Sequence, residues 1–290
     1  MNYLCIDIGG TNLKYAVLND QFEILDQNVQ AAGWNRQDEF LEDIFRLYSS
    51  AGYELSGIAV SYCGEVDSKS GMIINGGSYQ FNNGFNLKKV LEEKYGTRVA
   101  INSDSNCATI AELKRGSLKN VENAVVLVIG TGLGCGIVIN GTIYEGRNSF
   151  AGAVSFSQAD MSSDLNWSNC VGGRCGIRGL LDEYQDQTGT KVNGVEFFDL
   201  VNSDDEVAAG TLKKYVKNLS AYIYNIQAVL DVEAFAIGGG ISVQPKLMEY
   251  LIEAVSAKFE ELPVRIKKPE IYNCEFYNDA NLIGAMCMLL

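Results

Sequence analysis

One local design, used twice, narrows the fold more than anything else in the chain: a buried strand that runs into a glycine turn and returns as a second strand. In the first copy, Tyr3 to Ile8 is an apolar run broken by one acid, Asp7. Gly9, Gly10 and Thr11 follow, and from Lys14 the pattern is apolar again through Tyr15, Ala16, Val17 and Leu18. Apolar runs of this length, bounded by glycine, read as strands. The second copy begins half a chain later, with Ala124 to Ile129, then Gly130-Thr131-Gly132-Leu133-Gly134-Cys135-Gly136, then Ile137-Val138-Ile139 and a hairpin at Asn140-Gly141. Two such hairpins at this spacing predict two related lobes with a cleft between them, and 290 residues suffice for both.

The first turn has a chemical bias. Glycine permits positive φ and lets a ligand approach the main chain. Free backbone N–H groups, the Thr11 hydroxyl and the Lys14 ammonium are all donors, and polyphosphate is the ligand that wants only donors. Asp7 would repel phosphate unless a hydrated Mg²⁺ lay between them, since Mg²⁺ commonly takes one carboxylate and keeps its waters. The GxxxxGK[ST] spacing of a Walker A loop is absent.

Composition closes off several alternatives. There is no histidine, so base chemistry near neutral pH falls to Asp or Glu, or to a perturbed Lys, Tyr or Cys. A net charge of −13 disfavours nucleic acid, which needs clustered Lys and Arg. No apolar run reaches the length of a membrane span, and the start lacks the pattern of a signal peptide, so a cytoplasmic protein is expected. The eight scattered cysteines read as reduced, small hydrophobes.

Between the two hairpins, one α/β unit follows another. Glu39 to Leu47 has helical spacing, with Phe40, Leu41, Ile44 and Leu47 on one side; Ile58 to Ser61 is a strand that ends at the Gly64 turn. Residues 71–86 form a long polar connection of the kind that lines a site. Leu87 to Tyr95 is a helix stopped by Gly96, and Val99 to Ile101 is a strand broken by Asn102-Ser103-Asp104-Ser105-Asn106, with a helix from Cys107 to Leu113. Residues 158–179 read as irregular and 206–231 as helical. Ala234 to Ile237 is a strand entering Gly238-Gly239-Gly240-Ile241-Ser242, a helix follows from Pro245, and Asp279 to Leu290 is an apolar closing helix.

Asp104 stands where a strand gives way to a helix. On the residues alone two roles are open to it: a general base presented from a rigid junction, or an N-cap for the following helix. Trp167 and Tyr79 have the shape to stack on a pyranose, or simply to fill core or surface positions.

Asp7, Gly9, Gly10, Thr11 and Lys14 match letter for letter the DxGGTxxK motif of the sugar-kinase branch of the actin-like ATPases. Asn102-Ser103-Asp104-Ser105-Asn106-Cys107-Ala108 resembles the E-N-D-A-N-x-A segment of ROK-family kinases, and Gly130-Thr131-Gly132 with Gly134 and Gly136 is similar to that family's GTGxGxG loop. Gly238 to Ile241 resembles its adenosine-side glycines, and Asp279 to Ala285 its C-terminal helix.

The resemblance implies an α/β fold of two actin-like (ribonuclease H-like) lobes, one of residues 1–115 completed by the helix 279–290, the other of residues 116–278. It implies ATP held by Asp7 (through water-bound Mg²⁺), Gly9, Gly10, Thr11, Lys14, Gly130, Thr131, Gly132, Gly134, Gly239 and Gly240. It makes Asp104 the base toward a sugar hydroxyl, and places Gly64, Asn75, Gly76, Asn83, Ser103, Asp104 and Ala153 around the sugar. A homodimer is implied as well.

Three departures bear on the substrate. Ser103 replaces the Asn that usually precedes the catalytic Asp. Gly152-Ala153-Val154-Ser155-Phe156 stands where the family carries GE[IV]GH, so a Glu and a His that touch the sugar are missing. Losing a charged hydrogen-bond acceptor removes roughly 1.5–3 kcal/mol, so other groups must compensate; Glu65, Asn75, Gln80, Asn82, Asn83 and Asn106 are the candidates. Of the family's CxCGxxGC zinc run Cys175 keeps one cysteine, Cys170 stands at the wrong spacing, and no structural zinc is expected.

The leading expectation is an ATP-dependent sugar kinase acting on a hexose, an N-acetylated amino sugar such as N-acetylmannosamine, or a β-glucoside. The alternative is a sugar- and ATP-binding or regulatory relative without turnover. Family repressors carry a DNA-binding segment ahead of the kinase-like body, for which a phosphate motif starting at residue 7 leaves no room. An actin- or chaperone-like ATPase fits the short length least well.

Overall fold

The computed structural model describes residues 1–261 and 263–290. They form two compact units: Met1–Lys119 with Ile143–Ala151 and Asn278–Leu290, and Asn120–Thr142 with Gly152–Tyr277.

The first unit is built from β1 (Asn2–Ile8), β2 (Asn12–Asn19), β3 (Ile24–Ala31), α1 (Gln37–Ser50), β4 (Leu55–Tyr62), β5 (Glu65–Asp67), β6 (Met72–Asn75), α2 (Leu87–Tyr95), β7 (Arg98–Ser103) and α3 (Asp104–Arg115). Its five-stranded sheet runs β3-β2-β1-β4-β7. The first three strands form an antiparallel meander, and β4 and β7 continue the sheet in parallel with β1.

Alternation along β1 divides the core. Leu4, Ile6 and Ile8 pack with Phe40, Ile44 and Leu47 of α1. Tyr3 and Cys5 point the other way, into a cluster with Cys107 of α3 and Leu282, Ala285, Met286 and Leu289. That second cluster is made by the C-terminal helix Ala280–Cys287. It packs so tightly on α3 that a Cβ on Gly284 would lie 1.7 Å from the Cys107 carbonyl oxygen. Only glycine fits there.

The second unit contains β8 (Ala124–Ile129), β9 (Leu133–Ile139), β10 (Thr142–Ile143), α4 (Val171–Cys175), α5 (Ile177–Thr188), α6 (Gly194–Asn202), α7 (Glu206–Leu230), β11 (Ala234–Gly239), α8 (Pro245–Glu260) and β12 (Glu270–Asn273). Its sheet runs β10-β9-β8-β11-β12. Counting only the strands of the two main sheets, both follow one order: third, second, first, fourth, fifth. The repeated hairpin is therefore part of a repeated sheet. Val125, Leu127 and Ile129 of β8 pack with Phe235 and Ile237 of β11, Leu212, Leu219 and Ile223 of α7, and Leu247 and Leu251 of α8. Among the described residues, no helix is long and apolar enough to cross a membrane.

Three local expectations need correction. Residues 71–86, read as one long connection, contain β6 and a short 3-10 turn, Gln80–Asn82, and their amides bond to one another. Residues 158–179 include α4 and the start of α5, whose glycines hid the helical pattern from sequence. The second glycine turn is shorter than its letters suggest, because β9 begins at Leu133 and takes Gly134 and Gly136 into the ladder opposite Val128 and Val126.

Candidate active site

Strand register determines what meets in the first unit. Asp7 lies beside Ser61, and Ser61 beside Asn102; one step on, Ile8, Tyr62 and Ser103 share the next row. The carboxyl ends of β1, β4 and β7 are thus level, and the next residues along them are Gly9, Cys63 and Asp104. Ligands of open α/β sheets bind outside such strand ends.

Asp7 is half-buried on the face that carries Tyr3 and Cys5. Its Oδ1 accepts from Ser61 Oγ at 2.8 Å and from Asn281 Nδ2 at 3.0 Å, the latter at the start of the C-terminal helix. No hydrogen bond among the described residues reaches Oδ2. Burial pushes the carboxyl upward, opposed by those two bonds and by Lys14. Lys14 is the cross-strand partner of Asp7, but its ammonium donates to the Asn278 carbonyl and lies 3.9 Å from Asp279.

Asp104 is the first residue of α3, not its cap. The cap is Ser103, whose hydroxyl accepts from the Asn106 N–H. Asp104 is therefore relieved of that duty; its Oδ1 accepts the Ser105 N–H at 2.6 Å. Burial first, and the Asp7 charge second, push its carboxyl up to about 6. Behind it, Asn102 Oδ1 accepts from Ser103 N–H and Asn106 Nδ2, while Asn102 Nδ2 donates to Glu145 at 2.9 Å. The other Glu145 oxygen accepts from Ser68 at 3.0 Å.

The Gly9–Thr11 turn is exposed at Gly10 and Thr11 and is closed by Gly9 N–H donating to the Asn12 carbonyl at 3.0 Å. No hydrogen bond among the described residues uses the Gly10 or Thr11 N–H. Neither glycine has positive φ, so the conformational role expected for them does not hold. Gly10 is glycine for space: a Cβ would sit 2.5 Å from Ser78 Oγ. Tyr79, weighed as a sugar platform, is buried among Trp34, Phe40 and Phe81 and donates through its hydroxyl to the Gly9 carbonyl at 2.9 Å.

The polar residues proposed around the sugar are mostly engaged with each other. Asn83 Oδ1 accepts from Gly76 N–H, and Asn75 Oδ1 from Gly77 N–H and Gln80 Nε2. Buried Asn82 joins Tyr62 and Gln37. Gly64 lies where a Cβ would meet the Asn75 carbonyl oxygen at 2.2 Å. Glu65, the residue after it, is half-buried, and burial followed by the Asp104 charge pushes its carboxyl up to about 7.

In the second unit, β8 and β11 end together, Ile129 beside Gly239. This brings Gly239 and Gly240 next to the Gly130-Thr131-Gly132 turn. Gly130 and Thr131 are exposed, with Gly130 N–H bonded to the Gly132 carbonyl. Gly239 needs to be glycine, at φ +94 with Ile129 O 2.1 Å from a notional Cβ; Gly240 has open space. Gly134 is a strand residue and not part of the turn. Ala153 precedes a 3-10 turn over Val154–Phe156, and Ser155 Oγ accepts the Leu133 N–H at 2.8 Å. Trp167 is half-exposed, edge-on to Phe156 and against Gly132 and Gly172. Cys170 and Cys175 are buried free thiols at the two ends of α4, and no group of three or more metal-binding side chains occurs among the described residues.

Sequence reasoning missed Ser61, Asn281, Tyr79 as a support, and Glu145. Ser61 was readable as the register partner of Asp7. Glu145 carried no signal.

The ROK family model matches residues 3–290. The chain belongs to the ROK family. Among curated relatives, the beta-glucoside kinase of Listeria monocytogenes is 28% identical over 290 residues, covering 99% of this chain and 96% of the relative. The N-acetyl-D-glucosamine kinase of Vibrio atlanticus is 25% identical over 284 residues, covering 92% and 89%. Among solved structures, a ROK family protein of Streptococcus pneumoniae in complex with sucrose aligns with a TM-score of 0.88 at 26% identity, covering 99% of this chain and 97% of that one. The fold of this ROK-family chain is accordingly the α/β, two-lobed actin-like one.

Proposed function

We propose that this ROK-family chain is an ATP-dependent sugar kinase, with Asp104 as the base that takes the proton of the acceptor hydroxyl. The observation that carries the reading is the site of Asp104: half-buried, freed from capping, level with Asp7 and the Gly9–Thr11 turn, its carboxyl near 6. At neutral pH it is mostly ionised, yet basic enough to accept a proton.

The acceptor oxygen attacks the γ-phosphorus as its proton passes to Asp104; the bond between that phosphorus and the bridging oxygen breaks, and ADP leaves. Phosphoryl transfer asks the protein mainly for positioning and charge stabilisation. The unused N–H groups of Gly10 and Thr11, with the Thr11 hydroxyl, bind phosphate in this reading, as do the Gly130–Gly132 turn and Gly239–Gly240. Asp7 fits water-mediated Mg²⁺, since one oxygen is fixed by Ser61 and Asn281 while the other accepts nothing among the described residues. When bound, Mg²⁺ supplies neutralisation of the phosphate oxygens. β-Glucosides and N-acetylated amino sugars are the acceptors favoured by the named relatives. A cytoplasmic homodimer completes the reading.

The test is ADP release with ATP, Mg²⁺ and a panel of sugars. Asp104→Asn is expected to abolish turnover without weakening nucleotide binding; an active variant removes the base. ATP and sugar binding with no turnover on any acceptor would favour the non-catalytic alternative, for which the missing polar groups at Ala153 and Phe156 already speak.

A further inference from the structure

The first unit holds a half-buried carboxyl group that accepts no hydrogen bond among the described residues. Asp7, Glu145 and Asp104 each accept at least one hydrogen bond, and Glu112 accepts two from Ser117. The Glu65 side chain is half-buried and takes part in no hydrogen bond or ion pair among the described residues. Its oxygens stay open to solvent, since no sealed side-chain N or O among the described residues lacks a partner, so the group is partly withdrawn from water yet free to meet a ligand.

Its position is set by the backbone. Where β4 ends, Cys63 N–H donates to the Ile8 carbonyl at 2.9 Å, which ties the crossover to the end of β1. Glu65 then opens β5, opposite Asn75 of β6, and β5 packs on β7, the strand that delivers Asp104. Gly64, just before Glu65, has no room for a side chain, since a Cβ would meet the Asn75 carbonyl oxygen. Elimination points the same way. Asn75, Gln80, Asn83 and Ser103 bond within their own loops or caps, Asn82 bonds Tyr62 and Gln37, and Asn106 bonds Asn102. Of these candidates, Glu65 is the side chain without a partner among the described residues.

We propose that Glu65 contacts the acceptor sugar directly and selects it, bonding a hydroxyl other than the one that Asp104 deprotonates. The proposal rests on the sugar-kinase reading. A sugar hydroxyl can donate to the ionised carboxylate or accept from the neutral acid, and the group, poised near 7 by burial and by Asp104, offers both. A site built to bond a hydroxyl also rejects analogues that lack it.

The experiment compares wild type, Glu65→Gln and Glu65→Ala in the intact protein. Steady-state kinetics with ATP on glucose, N-acetylmannosamine, N-acetylglucosamine and cellobiose is paired with calorimetric sugar binding without nucleotide. For the preferred sugar, Glu65→Ala is expected to raise KM and Kd roughly tenfold to hundredfold. Glu65→Gln should raise them less, the ATP KM should hold, and the order of acceptors should change. Unchanged sugar KM, Kd and acceptor order in both variants overturns the proposal. Wild type that binds a sugar without turnover refutes the kinase reading alone, since the binding arm still tests Glu65. Wild type that binds none of the four overturns both.

Discussion

The two hairpins use one backbone plan for different chemistry, and the contrast comes down to a single position. Before its last apolar residue the first hairpin has Asp7, the second Val128. Register gives Asp7 polar neighbours: Lys14 across the hairpin, Ser61 on the parallel side and Asn281 from the C-terminal helix. Val128 has Gly134 and Gly238 in the corresponding places. The first unit can therefore hold a charge at its strand end and gathers Asp104 and Glu65 near it. The second presents glycine backbone and the Thr131 hydroxyl at its strand ends, with no acid at the matching position. A duplicated fold need not duplicate a site; the side chains beside the strand end, here Ser61, Asn281 and Lys14, decide which copy carries the acid.

The sharpest test of this division is removal of the base. Asp104→Asn should lower turnover by about a thousandfold or more, near the upper range for one proton-transfer group, with nucleotide affinity unchanged in a fluorescence titration. Exchanging the letter that distinguishes the hairpins comes next. Asp7→Asn keeps acceptors for Ser61 and Asn281, so turnover should fall about a hundredfold while Tm holds or rises. Val128→Asp has no such donors and should cost about 3 kcal/mol of stability, read by urea unfolding. Equal tolerance at both positions would break the comparison.

Smaller effects separate the glycines. Gly239→Ala meets both backbone and a positive φ, and is expected to destabilise by about 1–3 kcal/mol and weaken nucleotide binding. Gly10→Ala meets only the Ser78 hydroxyl, which can rotate, and should cost under about 1 kcal/mol. The mildest readout is pH. Activity should fall as Asp104 is protonated below about 6. Stability runs the opposite way: the folded state holds this proton more tightly than the unfolded chain, so Asp104 lowers stability as pH rises from about 4 to about 6. Asp104→Asn should therefore raise Tm by about 2–4 °C at pH 8 and leave it unchanged near pH 4.

Strands and glycine turns were legible because a buried strand and its breaker are local signals. The α2 stop at Gly96, in the left-handed region, followed directly from the letters. Asp104 was legible only as a residue at a junction; which residue caps α3 depends on whether the Ser103 or the Asp104 oxygen turns back to the amides, and no periodicity encodes that. The mutual bonding of the amides of residues 75–83 was not legible, because Asn and Gln look alike whether they face a ligand or each other. Glu145 was invisible because its partners, Ser68 and Asn102, lie far from it in sequence.

The Gly284 contact also bears on the order of events during synthesis. The helix that seals the Tyr3–Cys5 face and steadies Asp7 through Asn281 emerges from the ribosome after the whole second unit. Strands β1 to β3 must wait with that face uncovered while the residues between them and the helix fold, so a part of the first unit made before the second is finished only after it. A nascent polypeptide arrested before Ala280 should still expose that surface to chaperones and proteases.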